Sequence, residues 1–264
     1  MKNIDLKIGI IGLGNMGGAI TRGLSASIPS ENIYAYDIDP ARCKSIPGIK
    51  TTLFLDELIE SADIIIVAVK PDTVNEILVK LTSYKGIIVS IAAGIKIETL
   101  KKVSGSDKKI IRAMPNTPAL SGCGMTVLCA SENVSEDEIQ SVEKVFLSTG
   151  KVLVLQEKHM DAVTGVSGSG PAYVFTFIQA MADGAVKMGL PREHALTIAA
   201  QTVFGSAKMF LDKSENPIKL RDDVASPGGT TIDAIHVLEK AGFSGIIIDA
   251  IEASALKSKE LGKT

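Results

Sequence analysis

The chain has 264 residues, and 28 basic against 30 acidic side chains leave a formal net charge of −2. Aromatic residues make up 4% with no tryptophan, so the chain offers neither the basic face nor the stacking platforms of a nucleic-acid binder. The longest apolar run free of glycine, Ile64 to Val69, is a strand's length, which excludes a membrane-spanning reading. Glycine is in excess at 24 residues, against a usual share of ~7%. The three cysteines (Cys43, Cys123, Cys129) are scattered and odd in number, and His159, His194 and His236 have no ligand spacing. Neither a disulfide framework nor a metal site is expected, and reduced thiols fit a cytoplasmic protein. At the N-terminus, Lys2 and Lys7 ahead of Ile8–Ile20 have the outline of a secretory signal. Asp5 and the dense glycines from Gly12 to Gly18 favour a turn instead.

In chain order, β-rich apolar runs fall at Lys7–Ile11, Ile33–Asp37, Asp63–Val69, Gly86–Ile91, Lys109–Ala113 and Lys151–Leu155. Several are apolar on consecutive residues, the mark of strands covered on both faces. Helices are expected between them at Gly17–Ala26, Asp56–Ser61, Thr73–Leu81 and Ser135–Leu147, the last opened by a Ser135/Glu138 capping box. This alternation predicts an α/β domain with a doubly wound parallel sheet over residues 1–158. Beyond Leu155 the β-rich runs stop, and helices are expected at Pro171–Met188, Pro191–Leu211, Thr230–Lys240 and Ser244–Leu261. Residues 159–264 therefore read as an all-helical domain. Val163–Ala182 and Ala195–Ala207 carry no charged side chain. Either these helices are buried centrally by their neighbours, or they pack on a partner chain through small residues such as Ala180, Ala182, Gly184 and Ala185.

The first glycine cluster is Gly12-x-Gly14-x-x-Gly17, after a strand and opening a helix. Gly12 permits the tight turn, Gly14 lets the backbone approach a pyrophosphate, and Gly17 lets helix and strand pack closely. The helix N-terminus, from Asn15 and Met16, offers amides to the phosphates. Asp37 ends the next strand, twenty residues beyond Gly17, where a carboxylate accepts from an adenine ribose hydroxyl. Together they point to a Rossmann dinucleotide site. Asp37 would repel the 2′-phosphate of NADP, which leans the cofactor towards NADH; Arg42 is either a compensating cation or a solvated surface residue. Ala68-Val69-Lys70-Pro71 ends a strand at the ligand-binding edge, with Lys70 a cofactor contact or a surface lysine. Asn116-Thr117, flanked by Pro115 and Pro118, forms a stiff loop suited to the nicotinamide ribose or a plain turn. Ser167-Gly168-Ser169-Gly170 reads as a hinge with Ser169 as helix cap. Val224 to Ile232 contains Ser226-Pro227-Gly228-Gly229-Thr230-Thr231, either a turn capped by Ser226 or Thr230 or a receptor for a small carboxylate at a helix N-terminus.

With these motifs the chain resembles the pyrroline-5-carboxylate reductases. The resemblance runs nearly the whole length, on Gly12 to Ala19, Val69-Lys70-Pro71, Met114 to Pro118, Ser167 to Tyr173, Lys187 to Pro191 and Ser226 to Thr231. It implies a cytosolic enzyme that reduces the C=N bond of 1-pyrroline-5-carboxylate with NAD(P)H to give proline. It also implies a Rossmann domain joined to a helical dimerisation domain, homodimers often assembled into rings, and a site completed by the partner subunit. In the family, the substrate carboxylate sits on the turn that here holds Ser226 and the amides of Gly229 and Thr230. Thr231 would lie by the ring nitrogen as the catalytic group, orienting it rather than supplying a proton. The cofactor residues implied are Gly12, Gly14, Asn15, Met16, Gly17, Asp37, Ala68, Val69, Lys70 and Asn116. Tyr36-Asp37-Ile38-Asp39 departs from the Asn, Arg, Ser or Thr cluster of relatives that prefer NADPH. The rivals are a reductase of piperideine carboxylate, a β-hydroxyacid dehydrogenase-like enzyme using Lys187 or Lys208, and a catalytically silent dinucleotide sensor.

Overall fold

The computed structural model describes residues 6–262; Lys2 and Asp5, part of the signal-peptide reading, lie outside them. An eight-stranded sheet is built from β1 (Ile8–Ile11), β2 (Ile33–Tyr36), β3 (Lys50–Thr51), β4 (Ile64–Val67), β5 (Ile87–Ser90), β6 (Lys109–Met114), β7 (Gly124–Ala130) and β8 (Gly150–Val154). Its spatial order is β3-β2-β1-β4-β5-β6-β7-β8. All neighbours pair parallel except β6 and β7, which run antiparallel from Ile111↔Ala130 to Met114↔Val127. The fully parallel sheet expected from sequence is corrected at this one pair. A short 3-10 turn at Thr117–Ser121, entered through Pro118, replaces the crossover helix that a parallel step needs.

The helices of this part are α1 (Asn15–Ser25), α2 (Pro40–Lys44), α3 (Leu55–Ser61), α4 (Pro71–Lys80), α5 (Ile97–Ser104), α6 (Glu136–Leu147) and α7 (Met160–Val163). The capping box of α6 is present, with Ser135 and Glu138 satisfying each other's backbone amides. The consecutive isoleucines are explained by the two covered faces. Ile8, Ile10, Ile64 and Ile66 pack with Leu24 and Phe146 of α1 and α6, whereas Ile65, Val67 and Ile88 pack with Leu58, Leu78 and Leu100 of α3, α4 and α5. Each such fully buried side chain contributes about 1.5–3 kcal/mol. Arg112 of β6 is among the buried charged side chains and donates to Glu157 at 2.7 Å, and the same carboxylate oxygen accepts from the Ile97 amide that opens α5.

The remaining helices are α8 (Gly170–Lys187), α9 (Arg192–Lys213), α10 (Pro217–Val224), α11 (Thr230–Lys240) and α12 (Phe243–Leu261). A π-helical turn, Thr164–Gly168, precedes α8. Ser169 does not cap α8; its hydroxyl pairs with that of Ser254 at 2.8 Å. The described chain divides into two compact units, residues up to Ser169 together with Glu252 onward, and Gly170–Ile251. This division differs from the 158/159 boundary expected from sequence. In the second unit α8 and α9 meet through Ala182, Ala195 and Ala199, so Ala182 serves contact within the chain. Large side chains of the uncharged segments stay exposed, among them Phe175 at 64% and Phe204 at 56%. Burial by neighbours within one chain therefore does not account for them.

Candidate active site

The strand order reverses at β1 and β4, and open α/β sheets bind ligands outside the carboxyl ends of the strands at that point. The glycine turn lies there. Gly12 has φ +96°, a left-handed conformation, and a Cβ on it would meet the Ala68 carbonyl oxygen at 2.6 Å and Val69 Cγ1 at 3.1 Å. A Cβ on Gly17 would strike the Gly12 carbonyl and Ala68. The folding of Gly12, Gly17, Ala68 and Val69 against one another is thus impossible with larger residues at the glycines. Gly14, by contrast, has no close neighbour at its Cβ position except Arg42 Nη1 at 3.9 Å. Its backbone is open to approach, and α1 behind it starts at Asn15 with no side chain capping its first turn. Those amides are available to an anion. Met16 is half-buried and leans on the core, whereas Asn15 and Lys70 are exposed.

Asp37 follows β2 directly, with a side chain only 3% exposed. Its Oδ2 accepts from the Leu13 amide at 2.6 Å, and its Oδ1 accepts from the Asp39 amide at 2.9 Å. The carboxylate therefore ties the glycine turn to the end of β2. Arg42 Nη1 stands 3.5 Å from Asp37 Oδ2. Beside it, Ile38 is 90% exposed, and Leu53 and Phe54 follow the neighbouring strand β3 with apolar side chains in solvent. These apolar residues were not identified from sequence. The available signal was a large apolar side chain placed just past each of two adjacent strand ends.

At the other end of the crevice, Asn116 Oδ1 accepts from the Met125 amide at 2.8 Å, and Asn116 Nδ2 donates to Ser167 Oγ at 3.2 Å. Asn116 thereby holds β7 and the π-helical turn together, with one N–H and one lone pair left for a ligand. The strap Ile91–Gly94 is covered by the chain's last helical turn: a Cβ on Gly94 (φ +81°) would lie 3.2 Å from the Ser258 carbonyl.

In the helical unit, α10 ends at Val224 and α11 begins at Thr230. The turn between them is closed by the Gly229 amide donating to the Ser226 carbonyl at 3.0 Å, and Gly228 sits at φ +67°. Neither Ser226 nor Thr230 caps α11, contrary to the capped-turn alternative. The cap position is Gly229, which has no side chain to offer. A Cβ there would collide with Ser226 Oγ, so the serine hydroxyl stands over the uncapped amides. Thr231 is half-buried on the first turn, which also carries Asp233. The arrangement is a serine hydroxyl beside the first-turn amides of a helix that no side chain caps, a setting that suits a small anion. Among the described residues, no group of three or more His, Cys, Asp or Glu converges to hold a metal, and no helix is long and apolar enough to cross a membrane.

Comparison with known proteins brings both halves together. Residues 157–261 match the family model described as pyrroline-5-carboxylate reductase dimerisation, and residues 7–94 match that of NADP oxidoreductase, coenzyme F420-dependent. The chain is 44% identical to the pyrroline-5-carboxylate reductase of Escherichia coli, covering 99% of this chain and 100% of that one. Among solved structures it is similar to the Plasmodium falciparum pyrroline carboxylate reductase with NADP bound. That match has a TM-score of 0.90 and 36% identity, and covers 98% of this chain and 99% of that one. The Coxiella burnetii pyrroline-5-carboxylate reductase superposes with a TM-score of 0.93 at 33% identity, over 98% and 99% of the two chains.

Proposed function

The chain belongs to the pyrroline-5-carboxylate reductase family, and we propose on that premise how its own residues reduce 1-pyrroline-5-carboxylate to L-proline. The single observation that carries the reading is the uncapped turn at Gly229. It sets the Ser226 hydroxyl beside first-turn amides of α11 that no side chain caps, a combination that suits the substrate carboxylate. Ser226 and the Thr230 amide hold that carboxylate, the Gly229 amide joins them by exchanging its bond to the Ser226 carbonyl for the substrate, and Thr231 directs its hydroxyl at the ring nitrogen. The nucleotide half fits NAD(P)H because the Gly14 backbone is open and the first turn of α1 is uncapped. Gly12, Gly14, Asn15, Met16 and Gly17 receive the pyrophosphate there. Ala68, Val69 and Lys70 line the middle of the cofactor, Asn116 its nicotinamide ribose, and Ile38, Leu53 and Phe54 flank the adenine. Bound NAD(P)H supplies the hydride for the imine carbon, while the nitrogen keeps its proton and becomes the amine of proline.

No acid sits in the substrate turn besides Asp233, and none is required, since a protonated imine is already electrophilic. The protein's work is orientation, with Thr231 fixing the nitrogen so that the imine carbon faces the cofactor. NADH is taken in preference to NADPH, because the Asp37 charge is held in place at the adenine ribose. Residues 1–158 form the nucleotide module and 159–264 the substrate and dimerisation module, a division supported by the family model that starts at 157. Homodimers, assembled further into a ring, place a partner's helical module over each nucleotide module, in the cytoplasm.

The test is oxidation of NADH and NADPH with pyrroline-5-carboxylate, piperideine carboxylate and a β-ketoacid in parallel. The reading predicts turnover with the five-membered imine foremost and a higher kcat/KM for NADH. Preferential turnover of the β-ketoacid would refute it, and a kcat/KM ratio above one for NADPH over NADH would refute the coenzyme preference alone.

A further inference from the structure

Resting on the nucleotide site proposed above, we infer that Asp161 and Ser258 are positioning residues for hydride transfer, clasped together so that the last turn of α12 fixes the strap Ile91–Gly94 beneath the nicotinamide ring. In the sheet, β5 stands between β4 and β6. The segment after β4 carries Ala68 to Lys70 and the segment after β6 carries Asn116, the residues given above to the middle of the cofactor and its nicotinamide ribose. The strap leaves β5 between them, where the ring itself remains to be placed. Burial alternates along it, with Ala92 and Gly94 buried and Ile91 and Ala93 half-buried. Two apolar side chains are thus left for the face of a flat ring.

Hydrogen bonds fix both ends of this segment. The Ile91 amide donates to the Val67 carbonyl at 3.2 Å, and the Ile97 amide donates at 2.7 Å to Glu157 Oε1, the oxygen that Arg112 also holds. The middle belongs to no strand or helix and is held by contact. A Cβ on Gly94 would lie 3.2 Å from the Ser258 carbonyl oxygen and 3.3 Å from the Gly262 nitrogen, and a Cβ on Gly262 would collide with the Gly94 carbonyl. The level of the strap therefore follows the position of that helical turn. Two hydroxyls tie α12 down here. Ser254 pairs with Ser169 at 2.8 Å, and one turn later Ser258, only 4% exposed, donates to Asp161 Oδ1 at 2.8 Å. Ser258 is the one that lies against Gly94. Helix stability alone would favour alanine at this buried position, so the hydroxyl is there for its bond. Asp161 stands four residues beyond Glu157, and Met160 beside it shares a core with Ala92 and Ile97.

One short segment thus grips the strap twice, at its end through Glu157 and at its middle through Asp161 and Ser258. Hydride transfer depends on the distance between the nicotinamide and the imine carbon, and a misplacement of about 1 Å costs on the order of a hundredfold in rate. Asp161 and Ser258 act on that distance through the strap. Releasing the clasp lets the strap sink or tilt and moves the ring, while the adenine end of the coenzyme, held at β1 and β2, stays where it was.

The test compares Ser258→Ala, Asp161→Ala, Asp161→Asn and the double alanine variant of the full-length protein. In the two single alanine variants kcat is expected to fall about ten- to a hundredfold, with the imine KM within about twofold of wild type. The isotope effect with coenzyme deuterated at nicotinamide C4 is expected to rise as hydride transfer becomes limiting. NADH, titrated by its fluorescence, is expected to bind more weakly, while 5′-ADP, which has no nicotinamide, binds as before. Asp161→Asn keeps an oxygen that accepts from Ser258 and is expected to restore most of kcat. The double variant is expected to lose no more than either single one, since a single clasp is removed. Unchanged kcat in Ser258→Ala would overturn the proposal, as would parallel losses in imine KM and 5′-ADP affinity, the mark of a general loosening. A wild-type protein that binds NADH but reduces no imine would defeat the substrate reading alone, and the clasp would then stand or fall by the NADH and 5′-ADP titrations. Failure of the wild type to bind either would defeat the nucleotide site, and this proposal with it.

Discussion

The two units of the chain bury their apolar residues in opposite ways. In the sheet unit the side chains of Ile8, Ile10 and Ile64 to Val67 are wholly enclosed, and helices cover both faces. In the helical unit the enclosed residues are three alanines, Ala182, Ala195 and Ala199, while Phe175, Phe204, Met188 and Leu211 lie open. The first unit completes a core from its own sequence. The second brings α8 and α9 close with small side chains and turns its large ones outward, leaving its core to be finished by another chain. The family's dimerisation model falls on residues 157–261, where those open side chains are.

The largest effect is therefore expected from charging the open face. Phe175→Glu should cost about 3–5 kcal/mol of association, since a lone charge would have to be buried against a partner. Sedimentation should show the shift to monomer, with kcat/KM falling a hundredfold or more and coenzyme binding by the sheet unit retained. A wild-type protein that sediments as a monomer at micromolar concentration would break the comparison outright. Next in size, Ile66→Ala should destabilise the protein by about 2–5 kcal/mol in urea unfolding, at any protein concentration. Phe204→Ala should differ in kind, its loss growing as the protein is diluted. Concentration dependence at Ile66 and none at Phe204 would reverse the assignment of self-sufficient and shared cores.

The same contrast explains what could be read from sequence. Ile64-Ile65-Ile66-Val67 signals a strand covered on both faces without further context, because each residue is apolar and β-branched. β7 carries only Thr126 and Val127 as β-branched residues and opens on Gly124, so its composition is silent and pairing with β6 makes it a strand. β3, two residues long, exists only as a partner of β2. Signals for α2 and α10 were present, with Asp39-Pro40 and Asn216-Pro217 each a cap followed by proline at the first position. In the site, the spacing from Gly17 to Asp37 was legible, but the latch of Asp37 on Leu13 depends on the register of β1 against β2, which no local pattern encodes. Similarly, the serine and threonines of the substrate turn read as helix caps. Gly229 takes the cap position instead, directly after a left-handed Gly228.

A smaller effect separates the substrate turn from the bulk of its unit. Thr231→Ala should lower kcat/KM by ten- to a few hundredfold, about 1–3 kcal/mol of transition-state stabilisation. Because Thr231 makes no cap to α11, thermal stability and oligomeric state should stay as in the wild type. Unchanged kinetics would remove the hydroxyl from the site, and loss of the assembly would make it structural.

The smallest perturbation uses the three cysteines, all in the sheet unit, as reporters of whether that unit stands alone. Cys123 is exposed on the loop before β7, whereas Cys43 and Cys129 are buried. Burial pushes the Cys129 thiol up to about 11 against the lowering influence of Arg112 beside it. At pH 8 the thiolate of Cys129 is thus roughly one part in a thousand, and the reagent meets it only when the sheet opens. An alkylating reagent should modify one thiol quickly in the native protein and the other two at a rate set by unfolding. The decisive sample is the Phe175→Glu monomer. If its Cys43 and Cys129 stay protected, the sheet unit holds its core without a partner; if they label as fast as Cys123, the sheet core depends on the assembly as much as the helical face does.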